Sequence, residues 1–146
     1  MAKRGETAGG FSTVDAAEAA FYDAFQCADL SAMMEVWADD DDIECVHPTG
    51  PRAVGREAIR ESWMAIFRNF PGMEFRVAER RRFHAAELAV NVVHEHIRVG
   101  AANEFGPPVI VTNVYRFSKD GWRMVLHHAS PSPAKRETRE PKKTVH

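Results

Sequence analysis

Cysteine is scarce in this sequence. Cys27 and Cys45 are the two in 146 residues, and nothing in their spacing suggests a disulfide framework. Reduced thiols in a cytoplasmic protein are the expectation. No excess of one charge sign exists either. Lys plus Arg number 19 against 21 Asp plus Glu, a net charge of −2. Such a chain has no global field to attract nucleic acid or an anionic membrane. No apolar run approaches the roughly 20 residues that a membrane span needs. The opening "MAKRGETAGGF" is basic but has no apolar segment, so a secretory signal is not expected. No segment repeats. "GREAI" lacks the features of a phosphate loop.

What is present is an ordinary globular balance, with 45% hydrophobic and 27% charged residues. The length suits one domain. Residues 1–11 are small and polar and read as a disordered N-terminus. Val14, Ala17, Phe21, Ala24, Phe25 and Ala28 then fall at helical spacing, with Ser12 or Thr13 as cap. Asp29 caps a second, shorter helix carrying Leu30, Met33, Met34 and Trp37, and the acidic run at 39–42 ends it. "DIECVHP" alternates, with Ile43, Cys45 and His47 on one side. "VGREAIRESWMAIFRNFPG" is the clearest helix, striped by Ile59, Trp63, Ile66, Phe67 and Phe70. From Met73 onward the chain reads as strand. "VIVTNVYRF" and "WRMVLHHA" are joined by the turn "SKDG". Residues 131–146 carry charge and proline with few apolar groups and read as a basic, disordered tail. The domain spans 12–130. Helices gathered before an antiparallel sheet predict an α+β fold, with three helices packed on a curved antiparallel sheet that forms a cone-shaped pocket.

The stretches "AFYDAFQCADLSAMMEVWADDDDIECVHPTG", "GREAIRESW" and "VTNVYRFSKDGWRMVLHHASP" together resemble the nuclear transport factor 2-like superfamily, and more closely its SnoaL-like branch. The resemblance runs from about Ala17 to Pro133. It implies the ketosteroid isomerase-like cone fold. It leaves function open, because that superfamily includes isomerases, polyketide cyclases, dehydratases, epoxide hydrolases, transport factors and kinase assembly domains. The chain departs from two of these. The aspartate base with paired acidic and tyrosine donors of ketosteroid isomerases has no counterpart, nor has the Asp-Arg-Asp set of epoxide hydrolases.

Strand alternation orients the polar residues. Pairing Phe117 with Trp122 across "SKDG" puts Tyr115 opposite Met124, Asn113 opposite Leu126 and Val111 opposite His128, all on the more apolar and therefore inward face. Arg116, Arg123, Val114, Val125, Thr112 and His127 take the outer face, which suits a subunit interface, as the resemblance also implies. In "VNVVHEHIRV", Glu95 and the pair His94/His96 exclude one another from the interior. Placing Val99 near Val109 turns Glu95 inward, and a slip of one residue inverts this. His94 and His96 lack a third ligand, and His127 and His128 lie on opposite faces, so no metal or other cofactor is expected.

The candidate catalytic residues are Glu95, His47 and His128. Glu95 is a carboxylate among valines and must pair, protonate or meet water. His47 ends a strand at the mouth of the expected cone. His47 and His128 also suit hydrogen-bonded core positions. Asn113, Tyr115 and Trp63 are candidate ligand-binding residues, although Trp63 and Trp37 fit a core better than a ligand platform. The expected protein holds a small hydrophobic or polycyclic ligand and pairs as a homodimer through the outer sheet face. An acid–base isomerase, cyclase or dehydratase is the first functional reading. A non-catalytic ligand-binding or dimeric assembly module is the alternative.

Overall fold

The computed structural model describes residues 10–132. The expected segments 1–11 and 131–146 therefore lie largely outside the described residues. Phe11 and Pro131 are exceptions. Phe11 pairs with Trp122 through two backbone hydrogen bonds of 3.0 and 2.7 Å, and Pro131 ends the last strand. Gly121, at φ 124°, permits this closure, since a Cβ there would sit 2.8 Å from the Phe11 carbonyl oxygen.

Helix α1, Val14–Cys27, starts where the Thr13 hydroxyl accepts the Ala16 N–H at 3.0 Å. It stops at Ala28, which adopts a left-handed conformation. Its inward face carries Val14, Ala17, Phe21 and Phe25, and also Glu18 and Tyr22. Helix α2, Leu30–Val36, is capped by Asp29, which accepts the Ala32 N–H at 3.0 Å. Two arginines close its other end. Arg56 donates to the carbonyls of Met34, Trp37 and Ala38, and Arg123 to those of Glu35 and Trp37. Those of Met34, Glu35 and Trp37 are carbonyls a helix end leaves without intrahelical partners, and Ala38 follows the cap.

Strands β1, Glu44–Val46, and β2, Arg52–Val54, precede helix α3, Arg56–Asn69, whose buried stripe is Ile59, Trp63 and Phe67. Strand β2 was not anticipated; its three residues are too short to show a period. Four longer strands follow: β3 Met73–His84, β4 Leu88–Val99, β5 Val109–Ser118 and β6 Gly121–Pro131. They complete a six-stranded sheet of order β2-β1-β6-β5-β4-β3. The expected sheet was antiparallel throughout, but β1 runs parallel to β6 and makes the sheet mixed. The three helices pack on this α+β sheet. Phe21, Phe25, Trp63, Phe67 and Phe75 meet ring against ring between the layers.

Two bulges decide which side chains face the helices. In β3, Ala78 pairs with His94 but Arg81 pairs with Val92, so the strand gains a residue around Glu79, at φ 52°. Beyond it Arg80 and Arg82 reach Glu18 and Asn91. In β6, Tyr115 faces Met124 but Val114 faces Leu126, leaving Val125 as the extra residue. The hairpin register holds from Phe117–Trp122 to Tyr115–Met124 and then slips by one. Asn113 accordingly pairs with His127, not Leu126, and Val111 with Ala129, not His128.

Candidate functional site

Glu95 lies on the helix-facing side of β4 among Ala89, Asn91 and Val93, all buried. Its nearest partner comes from α1: the Tyr22 hydroxyl donates to Glu95 Oε2 at 2.6 Å. Tyr22 Oη in turn accepts from Asn113 Nδ2 at 3.1 Å, and the same amide nitrogen donates to Glu18 Oε2 at 3.3 Å. Both amide protons of Asn113 are thus engaged, so its Oδ1 faces His127 Nδ1 at 2.7 Å as an acceptor. His127 must carry its proton on Nδ1. The bonds run in one direction, from His127 through Asn113 and Tyr22 to Glu95. Glu18 is a second buried carboxylate. It also takes the Tyr115 hydroxyl at 3.0 Å and Arg80 Nε at 2.9 Å.

The cavity in front of this chain has a volume of about 320 Å³, at the small end of ligand sites. Its walls are Phe25, Pro48, Ile66, Phe70, Met73, Ile97, Val99 and Ala129, and its polar lining is Glu95, His127 and His47. His47 follows β1, and its Nε2 lies 3.2 Å from Ser62 Oγ. The Ser62 proton goes to the Ile59 carbonyl at 2.8 Å, so His47 Nε2 donates to Ser62, with Cys45 Sγ as a longer contact of the same nitrogen at 3.5 Å, and its Nδ1 keeps a lone pair.

Burial governs the charge states. It pushes the Glu95 carboxyl up to about 7; the Tyr22 hydrogen bond opposes the rise and nearby Glu18 adds to it. Burial pulls His47 down to about 4. His127 is held well below the usual histidine range, by burial first and then by His47 and His128. Both imidazoles are uncharged at neutral pH, while Glu95 populates both forms. The lining therefore offers a carboxyl near neutrality, the bare Nε2 of His127 and the bare Nδ1 of His47.

Residues 14–135 match the model of the SnoaL-like domain. The chain belongs to the SnoaL-like family. A solved structure from Thiobacillus denitrificans, a candidate calcium/calmodulin-dependent protein kinase type II association domain, is 40% identical with a TM-score of 0.81. That match covers 84% of this chain and 97% of the other. A candidate dehydratase of the nuclear transport factor 2-like family from Streptomyces avermitilis is 29% identical over 82% of this chain and 93% of its own, TM-score 0.73. The F-box protein SKIP8 of Arabidopsis thaliana is 30% identical over 101 residues, 69% of this chain. The chain spans 42% of that longer protein.

Within this SnoaL-like domain, Glu95 and His47 meet at one cavity. His128, expected inward, is exposed on the other face, because the Val125 bulge turns it out and puts His127 in its place. His127, expected outside, is buried. Asn113 and Tyr115 do face inward, yet neither lines the cavity; both are buried behind it and directed to Glu18. Trp63 is also behind the lining, fully buried and edge-on to His47 at 4.7 Å between ring centres. Its indole nitrogen has no hydrogen-bond partner. Arg123, assigned to the outer face, is buried against the carbonyl end of α2. Sequence reading missed Glu18 and Tyr22. The signal for Glu18 is its position on the buried stripe between Val14 and Phe21, where a carboxylate needs partners.

Proposed function

We propose that the SnoaL-like cavity is an acid–base site in which Glu95 exchanges a proton with a small, largely apolar molecule. The chemistry falls in the isomerase, cyclase or dehydratase class. The observation that carries this reading is a carboxyl poised near neutrality, fixed by Tyr22, in a cavity whose other polar groups are uncharged imidazoles. A group titrating near the working pH both gives and takes a proton readily. The ionised form removes a substrate proton and returns it elsewhere in an isomerisation. The protonated form supplies a proton to a departing hydroxyl while His127 Nε2 or His47 Nδ1 accepts one from the neighbouring carbon. The arrangement favours proton shuttling over an oxyanion hole, since the Asn113 and Tyr115 donors are directed to Glu18 and not to the cavity. The dehydratase candidate among the similar structures agrees with this class.

Carbon-13 labelling of the glutamate carboxyls tests the reading directly. Glu95 is expected to titrate near 7, and Glu95→Gln to abolish turnover of any substrate found in a screen of hydroxylated and carbonyl-bearing apolar compounds. An ordinary carboxylate midpoint, or full activity in that variant, removes Glu95 from the mechanism.

A second reading concerns the opposite face of the sheet, where Val90, Val92, Ile110, Val114, Val125 and Leu126 are only partly covered. An apolar sheet face of this kind suits a homodimer of a cytoplasmic protein. The kinase association domain among the similar structures is consistent with an assembly role. Light scattering over a range of concentrations is expected to give a dimer. A monomer throughout rejects the interface.

A further inference from the structure

We propose that the molecule this cavity takes carries a primary amine, bound as its ammonium, on an apolar body. The proposal rests on the reading of Glu95 as the proton-exchanging group and names the chemistry of its partner. It follows from the direction of the hydrogen bonds. Among the described residues the lining contains no lysine or arginine, and its polar side chains are Glu95, His47 and His127. The donors of the two lining imidazoles and of Tyr22 are turned elsewhere, and the unpartnered indole N–H of Trp63 is buried behind the lining. Tyr22 donates to Glu95, His127 Nδ1 to Asn113 and His47 Nε2 to Ser62.

What remains toward the ligand is acceptor capacity: the second oxygen of Glu95, His127 Nε2 and His47 Nδ1. With Glu95 ionised, an entering carboxylate or phosphate would meet three lone-pair groups and no counter-charge from the described lining residues, which is a strongly unfavourable burial. An ammonium presents three N–H donors and the opposite charge to ionised Glu95. The His47 and His127 rings lie 6.2 Å apart between centres, close enough for one head group to serve both. Phe25 and Phe70 supply aromatic surface for the body and for the charge. The proton transfer is then balanced. An N–H bond of the ammonium breaks, an O–H bond forms on Glu95, and the pair becomes a neutral amine and a neutral acid.

The test is calorimetric binding of the full chain to three compounds with one body: phenylpropylamine, phenylpropanol and phenylpropionate. The amine is expected to bind at least about tenfold more tightly than the carboxylate, with the alcohol between them. Glu95→Gln is expected to weaken the amine by about tenfold and the alcohol by less than about threefold. Where that variant melts abnormally, the wild-type ranking alone decides. Equal or tighter binding of the carboxylate overturns the proposal, as does failure of all three compounds to bind. These results stay separate from the acid–base reading, which stands or falls on the titration of Glu95. A carboxylate-binding cavity with Glu95 near neutrality loses the amine and keeps the chemistry.

Discussion

The Tyr22 hydroxyl lies 2.6 Å from Glu95 Oε2, a bond between α1 and β4 across 73 positions of sequence. Among the described residues it is the one direct hydrogen bond that a side chain gives this carboxylate, and it works against the effect of burial. Burial wins, and the carboxyl rests near 7. Moderate changes around Glu95 therefore move its charge across the neutral range.

Tyr22→Phe removes the opposing hydrogen bond. The Glu95 midpoint is expected to climb further above 7, by about one unit. Stability is expected to fall by about 1–2 kcal/mol, because Asn113 also loses an acceptor in the interior. Carbon-13 titration and urea unfolding measure the two effects.

Glu95→Gln isolates the pH dependence that Glu95 imposes. The folded-state value of about 7 lies above the ordinary 4.5, so the folded protein holds the extra proton between them. The stability from that proton is complete below 4.5 and is lost as pH rises through 7. His47 works in the opposite sense. Its value near 4, below the ordinary 6.5, costs stability as pH falls through that window. Subtracting variant from wild type cancels the histidine contribution. The variant should gain on the wild type by on the order of 3 kcal/mol between acid and mildly alkaline pH. A constant difference across the range counts against a raised Glu95.

The two adjacent histidines of β6 are expected to behave as opposites. His127→Ala opens a space in the core and orphans Asn113 Oδ1, with a loss of about 2–4 kcal/mol. His128→Ala touches an exposed position and should stay within about 0.5 kcal/mol of wild type. Thermal melts of the pair check the bulge at Val125. Equal effects would restore the uninterrupted register.

Arg56→Met should cost about 2–3 kcal/mol, since it keeps an unbranched apolar stem and removes donors from the carbonyls of Met34, Trp37 and Ala38. The loss is expected to show first as weakened hydrogen-exchange protection around α2.

The fold was legible because its signals are local and repeated. The stripe of α3, the Thr13 and Asp29 caps and the "SKDG" turn each act within a few residues. The expected Val99–Val109 pairing does not form, since Val109 faces Glu95 itself; the displacement of four residues is even, so Glu95 keeps the expected face. The rest of the site depends on what alternation does not carry. Each bulge adds one residue and exchanges the two faces beyond it, so His128 and His127 trade places and Arg80 and Arg82 turn toward Glu18 and Asn91. The run of three apolar residues in "WRMVLHHA" is the trace that the β6 bulge leaves in the sequence. Asn113 and Tyr115 face inward as alternation requires, but only the helix packed on the sheet decides that Glu18, and not a ligand, receives their protons.

The extra residue at Val125 sets which of two adjacent histidines the far half of β6 turns inward. Deleting Val125 would join Met124 to Leu126 in plain alternation and keep His127 inward, whereas keeping every residue and losing the bulge would present His128 to the cavity and Ala129 to the solvent. The strand thus holds two interior surfaces in one stretch of sequence, separated by a one-residue change of register. Relatives that differ by one residue at this point should be compared by which side chains they turn inward, and not by which letters align.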